Sequence, residues 1–301
     1  MNEVKPVSRA SRLPLGVLRR GRDEPPPEKI GLRAGPLTLV LEGGSLRYIR
    51  LGNHEVLRMV YSAVRDHNWG TVPAVLSDLR VEARDDSFDV TYVSEHKQGE
   101  IDFAWKGTIR GEPDGTIRFA MDGEARSTFL RSRIGFCVLH PMAECAGSSC
   151  RIDKANGTVE NGAFPKLISP DAPFKDIRAI SHEVVPGVWA RVRFEGEVFE
   201  MEDQRNWGDA SFKTFCTPLA IPYPVEVRRG ARIEQAVELR IEGMVSAPGS
   251  TPSRTASTAM VRRQAVRFEI GTGPAKPLPP IGLCAASHGQ PLSANEIARL
   301  R

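Results

Sequence analysis

Arg232-Ile-Glu-Gln-Ala-Val-Glu-Leu-Arg-Ile-Glu242 is the stretch that decides the fold. Ile233, Val237, Leu239 and Ile241 share one parity, and Arg232, Glu234, Glu238, Arg240 and Glu242 share the other. Side chains alternate faces along a strand, so the segment has one dry face and one wet face. That is the pattern of an antiparallel sheet covering a core from one side. The same period recurs upstream. Ile101, Phe103, Trp105 and Ile109 oppose Asp102, Lys106 and Thr108; Ile117, Phe119 and Met121 oppose Arg118, Ala120 and Asp122; Val192, Phe194 and Val198 oppose Arg191, Arg193 and Glu197. Turn signals separate the runs at Gly43-Gly44, Asp85-Asp86, Pro113-Asp114-Gly115, Asn156-Gly157 and Arg229-Gly230. This spacing predicts roughly a dozen to eighteen strands. The expected class is all-β, a large antiparallel two-sheet β-sandwich.

The sandwich is expected over residues 31–271, preceded by a flexible arm, 1–30, that is Arg-rich and then reaches Glu24-Pro-Pro-Pro-Glu28. Residues 244–260 are small and polar and read as a long loop before a last strand, Ala265 to Ile270. Residues 272–280 form a Pro-rich linker. Beyond it, Ile281-Gly-Leu-Cys-Ala-Ala286 reads as a short strand, and Ser293-Ala-Asn-Glu296 has capping-box spacing before Ile297-Ala-Arg-Leu-Arg301. Residues 281–301 therefore read as the first strand and helix start of another domain. One β/α unit cannot bury its own apolar face, so the chain is expected to be cut short within that domain. The alternative is a C-terminal helix docking on the sandwich.

The 301 residues are 41% hydrophobic and 26% charged, with 41 Lys and Arg against 37 Asp and Glu, a formal charge of +4. These are ordinary globular values. No basic block carries interleaved aromatics, so nucleic-acid binding is not expected. The five cysteines, Cys137, Cys145, Cys150, Cys216 and Cys284, show no CxxC pair and read as reduced thiols. A Cys145–Cys150 bridge would require an oxidising compartment. The apolar run Leu13-Pro-Leu-Gly-Val-Leu18 is too short for a signal segment, and no run approaches a membrane span. A cytoplasmic protein is expected. There is no HExxH, no paired CxxC, no calcium loop, no Gly-rich phosphate loop and no Gly-x-Ser-x-Gly, so no metal or cofactor is expected and a serine-hydrolase elbow is absent.

Phe199-Glu-Met-Glu-Asp-Gln-Arg-Asn-Trp-Gly-Asp-Ala-Ser-Phe-Lys213 is the densest chemical segment. It sets four carboxylates, two cations and two amides beside an indole and two phenyl rings. Buried segments rarely carry this many charges unless they pair or bind something polar. The segment therefore reads as the wall of a polar site suited to a small polyol.

Glu42-Gly-Gly-Ser-Leu-Arg-Tyr-Ile-Arg50 with Gly52-Asn-His-Glu-Val-Leu57 resembles the opening strands of a galactose-mutarotase-like sandwich. Ile134-Gly-Phe-Cys-Val-Leu-His-Pro141 resembles its central His-bearing strand. Combined with the 199–213 segment and Pro222-Tyr-Pro-Val-Glu-Val227, the chain from about residue 30 onward resembles the N-terminal domain of the D-apionate lactonase family, followed by the start of a TIM-barrel-like domain. The resemblance implies hydrolysis of D-apionolactone to D-apionate, with a small sugar lactone as partner. Lactone opening needs a base and an oxyanion stabiliser. Asp203, Asp209 and His140 are the candidate catalytic residues; Glu202, Arg205, Asn206, Trp207 and Lys213 are the candidate substrate-binding residues.

Each has a plainer reading. The 202–213 charges also suit an ion-pair network pinning a loop. His140, before Pro141, also suits a packed interior histidine. His54 and His182 carry no distinguishing signal. His67-Asn68-Trp69-Gly70 suits either packing or a sugar pocket, and His288 would face the active site of a complete barrel. Two alternatives to the lactonase stand beside it: a non-catalytic carbohydrate-binding or scaffolding sandwich, and a mutarotase-like epimerase using His140 with a carboxylate. The pattern is silent on oligomeric state.

Overall fold

The computed structural model describes residues 14–20 and 23–243, together with 294, 297 and 298. The chain divides into a unit Met1–Ser246 and a second unit Ala247–Arg301. The expected loop 244–260, the strand at 265–270, the linker, the 281–286 strand, the Ser293–Glu296 capping box, Cys284 and His288 lie outside the described residues, although Ala294, Ile297 and Ala298 are helical.

Within the expected arm, Leu15–Arg20 form a short helix. The strands then follow as β1 (Lys29–Ala34), β2 (Leu37–Glu42), β3 (Ser45–Leu51), β4 (His54–Asp66), β5 (Ala74–Ala83) and β6 (Phe88–Gln98). Next come β7 (Ile101–Gly111), β8 (Ile117–Ala125), β9 (Phe129–Pro141), β10 (Ser149–Lys154), β11 (Val159–Ala163) and β12 (Ile177–Val185). The series ends with β13 (Val188–Glu195), β14 (Glu200–Asp203), β15 (Ser211–Phe215), β16 (Val225–Val227) and β17 (Arg232–Glu242). The first sheet has eight strands in the order β1-β2-β3-β4-β9-β15-β14, with β16 also paired to β9. The second has nine, in the order β11-β10-β12-β13-β17-β8-β7-β6-β5. The pairs are antiparallel, as period-two alternation requires of sheets with one covered face.

The two sheets bury one another's inner faces. Phe103, Ile109, Ile117, Phe119, Val192 and Phe194 are all buried, as their parity predicts. Phe119 of β8 meets Phe136 of β9 edge to face at 4.7 Å, joining the sheets through their middle. One parity reading fails. Val198 is expected inward with Phe194, but it is only half-buried while Phe199 and Met201 are buried. The chain turns at Gly196 (φ +87), which shifts the alternation and stacks Phe199 on Phe194 at 4.2 Å. The hairpin turn at Gly43-Gly44 has φ of +56 and +74, the paired positive values a two-residue hairpin turn demands. Cys137, Cys145, Cys150 and Cys216 are free and buried, so Cys145 and Cys150 form no bridge.

β17 carries a polar residue on its dry face. Gln235 has the inward parity of Val237 and Leu239 and is only 6% exposed. Its amide is satisfied across the sandwich by the backbone of β9. Oε1 accepts from Phe136 N (3.0 Å), and Nε2 donates to Ile134 O (3.2 Å). Cys216 Sγ donates to the same Oε1 at 3.3 Å. The residue between the two bonded groups, Gly135, has φ +149, and a Cβ there would run into the Gln235 amide and the Cys216 sulfur.

Gly135→Ala should therefore destabilise the fold by about 2–4 kcal/mol, since it adds both backbone strain and overpacking. Gly31→Ala, where a Cβ meets nothing within 4 Å, should stay within about 0.5 kcal/mol of wild type. Urea denaturation of the two variants checks the contrast.

Candidate functional site

β9 separates core from site by parity, except at Gly135, where a Cβ would meet the buried Gln235 amide. Ile134, Phe136, Val138 and His140 face the second sheet and are buried. Arg133, Gly135 and Cys137, on the other parity, floor a cavity of about 640 Å³ on the open face of the first sheet. Ala63 and Arg65 of β4, Glu202 of β14, and Lys213 and Phe215 of β15 extend this floor. Trp69, Trp207, Leu219 and Tyr223 rise from the loops as its walls. A second cavity of about 430 Å³ shares Glu202, Trp207, Phe215 and Leu219 and adds Asp171, Glu200, Asp203 and Asn206.

Glu202 is the hub between the two. Oε1 accepts the Trp207 indole N–H at 2.5 Å, and Oε2 accepts Gln204 Nε2 at 2.8 Å. Lys213 Nζ lies 2.8 Å from the same Oε2 and 5.1 Å from the centroid of the Phe215 ring. The carboxylate thus holds the indole at the rim, where Trp207 is 75% exposed, and fixes the ammonium over the floor. Trp207 ends a 3-10 turn, Gln204–Trp207, closed by Gly208 in the left-handed conformation.

The opposite wall is delivered by a tight loop. Asp66 Oδ1 accepts from Asn68 N (2.8 Å) and Gly70 N (2.7 Å), and Trp69 is held at φ +68, a strained value for a bulky residue. Trp69 packs edge to face on Tyr223 at 4.9 Å. Arg133 lies beneath both, 5.4 Å from the Trp69 ring and 4.9 Å from the Tyr223 ring. Its guanidinium also donates to Thr217 O, Pro218 O and Ile221 O, which pins the loop bearing Tyr223.

The remaining charges of the 199–213 segment do different work. Asp203 is 1% exposed. Its Oδ1 accepts Arg205 N and Nε, and its Oδ2 accepts Ser169 N and Arg205 Nη2 (2.7 Å). Arg205 reaches on to the carbonyls of Pro165, Lys166 and Leu167, and Asn206 Nδ2 to Ser169 O. These three residues clamp the 165–169 loop against the sheet. Burial pushes the Asp203 carboxyl upward, but its bonds from Arg205 and Ser169 outweigh that and hold it below the ordinary carboxylate range.

Asp209 is exposed and accepts Ser211 Oγ at 3.0 Å. His140 is fully buried among Phe164 and His182, with Nε2 2.9 Å from Thr214 Oγ1. Of the candidate residues, then, Glu202, Trp207 and Lys213 meet in the larger cavity. Asp203 and Asn206 border the smaller one, and Arg205, Asp209 and His140 line neither. Burial rather than exposure governs His140, so the geometry that an epimerase acid/base pair requires is missing at this position.

Arg65 and Arg133 escaped the sequence reading because single arginines in strands read as wet-face residues. Their shared outward parity with Cys137 was the available signal. The thiols on this face are poor nucleophiles: burial pushes both Cys137 and Cys216 up from the ordinary thiol range. Among the described residues no three His, Cys, Asp or Glu side chains assemble a metal site, and no helix is long and apolar enough to cross a membrane.

Residues 17–244 match the family profile of the D-apionate lactonase N-terminal domain. A D-apionate lactonase of Brucella anthropi is 40% identical over 256 residues, covering 84% of this chain; the chain spans 40% of that relative's length. Among solved structures, a candidate aldose 1-epimerase from Escherichia coli K12 superposes with a TM-score of 0.50 at 12% identity, over 72% of this chain and 99% of its own. A galactose 1-epimerase from Lactobacillus acidophilus NCFM gives 0.45 at 8% identity, over 71% and 94%. The first of these likenesses establishes the galactose-mutarotase-like fold.

Two outcomes follow from the geometry. Asp203→Asn should cost about 2–4 kcal/mol by leaving Arg205 without its buried counter-charge. It should also speed proteolysis at 165–169, whereas Asp209→Asn should do neither. Burial pushes the His182 imidazole down to about 4. An unfolded histidine charges from about pH 6.5, so stability present above that pH should fall as the medium is acidified towards 4. At pH 5 the loss from this one group is about 2 kcal/mol. His182→Leu should lose less stability between pH 7 and pH 5 than wild type in urea titrations at each pH.

Proposed function

The chain belongs to the D-apionate lactonase family, whose N-terminal domain it carries, and from that premise we propose that its larger cavity holds the sugar lactone in a lactone-hydrolysing enzyme. The observation that carries the reading is the meeting of Glu202, Lys213 and Trp207 with Trp69 and Tyr223 in one recess of about 640 Å³. Aromatic walls with a few convergent polar groups suit a small ligand with one apolar and one polar face.

In this reading Trp207 and Tyr223 cover the ring. Water attacks the lactone carbonyl, and the Lys213 ammonium stabilises the developing oxyanion. As Lys213 shifts to that oxygen, Glu202 Oε2 loses its ion-pair partner and accepts the proton of the attacking water. The ring C–O bond then breaks, the leaving alkoxide takes the proton back from Glu202, and the hydroxy acid results with Glu202 again ionised. Asp209 lines neither cavity and takes no part in this step. Asp203, Arg205 and Asn206 are positioning residues that hold the wall, and His140 is part of the interior.

One observation favours a second reading. Both oxygens of Glu202, the sole carboxylate bordering the larger cavity among the described residues, are already engaged. The domain would then be a sugar-binding wall for chemistry supplied by another part of a longer protein, such as the barrel expected from residue 281.

Tryptophan fluorescence and acid release, followed together as D-apionolactone is added to the 301-residue protein, separate these readings. We expect saturable quenching that Trp207→Ala or Lys213→Met weakens at least about tenfold; slow acid release beside it would favour the second reading. Fast turnover that Lys213→Met lowers by about a hundredfold or more would place the whole reaction in this domain. No saturable binding would overturn both readings.

A further inference from the structure

The larger cavity holds more positive charge than its structural needs explain. Arg65 of β4 and Arg133 of β9 are direct register partners, and both face the recess. Like charges placed directly opposite on neighbouring strands repel. Neither has a carboxylate within ion-pairing distance among the described residues. Asp66, next along β4, turns its Oδ1 to the backbone of Asn68 and Gly70 instead. Among the described residues the one carboxylate of the recess, Glu202, is taken by Lys213. Arg131, two residues along β9, adds a further cation whose field acts on Arg133.

The two arginines differ in what they have left to give. Arg133, 4% exposed, spends its donors on four backbone carbonyls. Burial, and then the neighbouring Arg131, make its charged form less favourable than usual. Among the described residues Arg65 gives a single bond, to Trp69 O at 3.2 Å, and a guanidinium carries five N–H groups in a planar fork that matches a carboxylate. Arg65 lines the recess beside Trp69. An anion there would relieve the repulsion and take up the fork.

We propose that Arg65, with the Arg133 charge behind it, is the seat of a carboxylate, so that the cavity holds the open-chain sugar acid more tightly than the neutral lactone or polyol. This rests on the cavity being the sugar site. Its consequence is that the acid formed by hydrolysis competes with fresh lactone.

Calorimetric titration of the 301-residue protein with sodium D-apionate, with the neutral polyol of the same carbon skeleton and with sodium sulfate tests it. D-Apionate should bind at least about tenfold tighter than the polyol, the worth of one charge-assisted hydrogen-bonded contact. Arg65→Gln should abolish that preference, and Arg65→Lys should keep part of it. Should Arg65→Gln misfold, raising ionic strength from about 0.05 to about 0.5 M should shrink the preference in the wild type. Equal binding of acid and polyol, or a preference untouched by Arg65→Gln and by salt, overturns the carboxylate seat while the sugar site stands. Sulfate binding as tightly as D-apionate also overturns it, reducing the feature to a bare anion hole. Binding of neither sugar overturns the sugar site as well.

Discussion

The Gln235 amide, buried between the sheets and bonded to the backbone on both sides of Gly135, is the constraint on which the site depends. A buried amide is costly when unpaired and specific when paired. Here it fixes β17 against β9 at one position, where only glycine fits. β9 is also the strand on which β4, β15 and β16 all pair. Its inner parity builds the core with Phe136, and its outer parity floors the recess with Arg133 and Cys137. A slip of one residue would exchange the two sets.

Electrostatics then divides one charged segment into two functions. Asp203, on the inward parity of β14, is sealed by Arg205 and backbone donors and holds a loop. Glu202, one residue earlier on the opposite parity, faces the recess with Lys213 and Trp207. Adjacent carboxylates on a strand point to opposite faces, and burial assigns their work. The recess is left with an excess of cations over carboxylates, which suits a ligand that gains a negative charge as it reacts.

The all-β sandwich was legible because parity is written directly into stretches such as 232–242. That part of 199–213 borders a recess with charged and aromatic side chains was legible from the density of charges beside aromatics. The division of that site was not. Asp203 and Glu202 look alike in a list of residues, and only the strand register separates them. His140 looked like a base and lies in the interior, because it falls on the inward parity of its strand, against Phe164 and His182. Arg65 and Arg133 are neighbours only across a strand pair, between residues 68 apart in the chain. Gln235 sat unremarked on an apolar face, since its partners are backbone atoms of another sheet.

The central claim is that the open face of the eight-stranded sheet, at β4, β9 and β15, is where a sugar-derived ligand sits. A crystal structure of the protein grown with D-apionate tests this most directly. The account predicts the carbon chain between Trp207 and Tyr223, with the carboxylate on Arg65 and a hydroxyl near Lys213. A ligand bound instead on the outer face of the nine-stranded sheet, with the Trp207–Tyr223 recess holding only solvent, would contradict it.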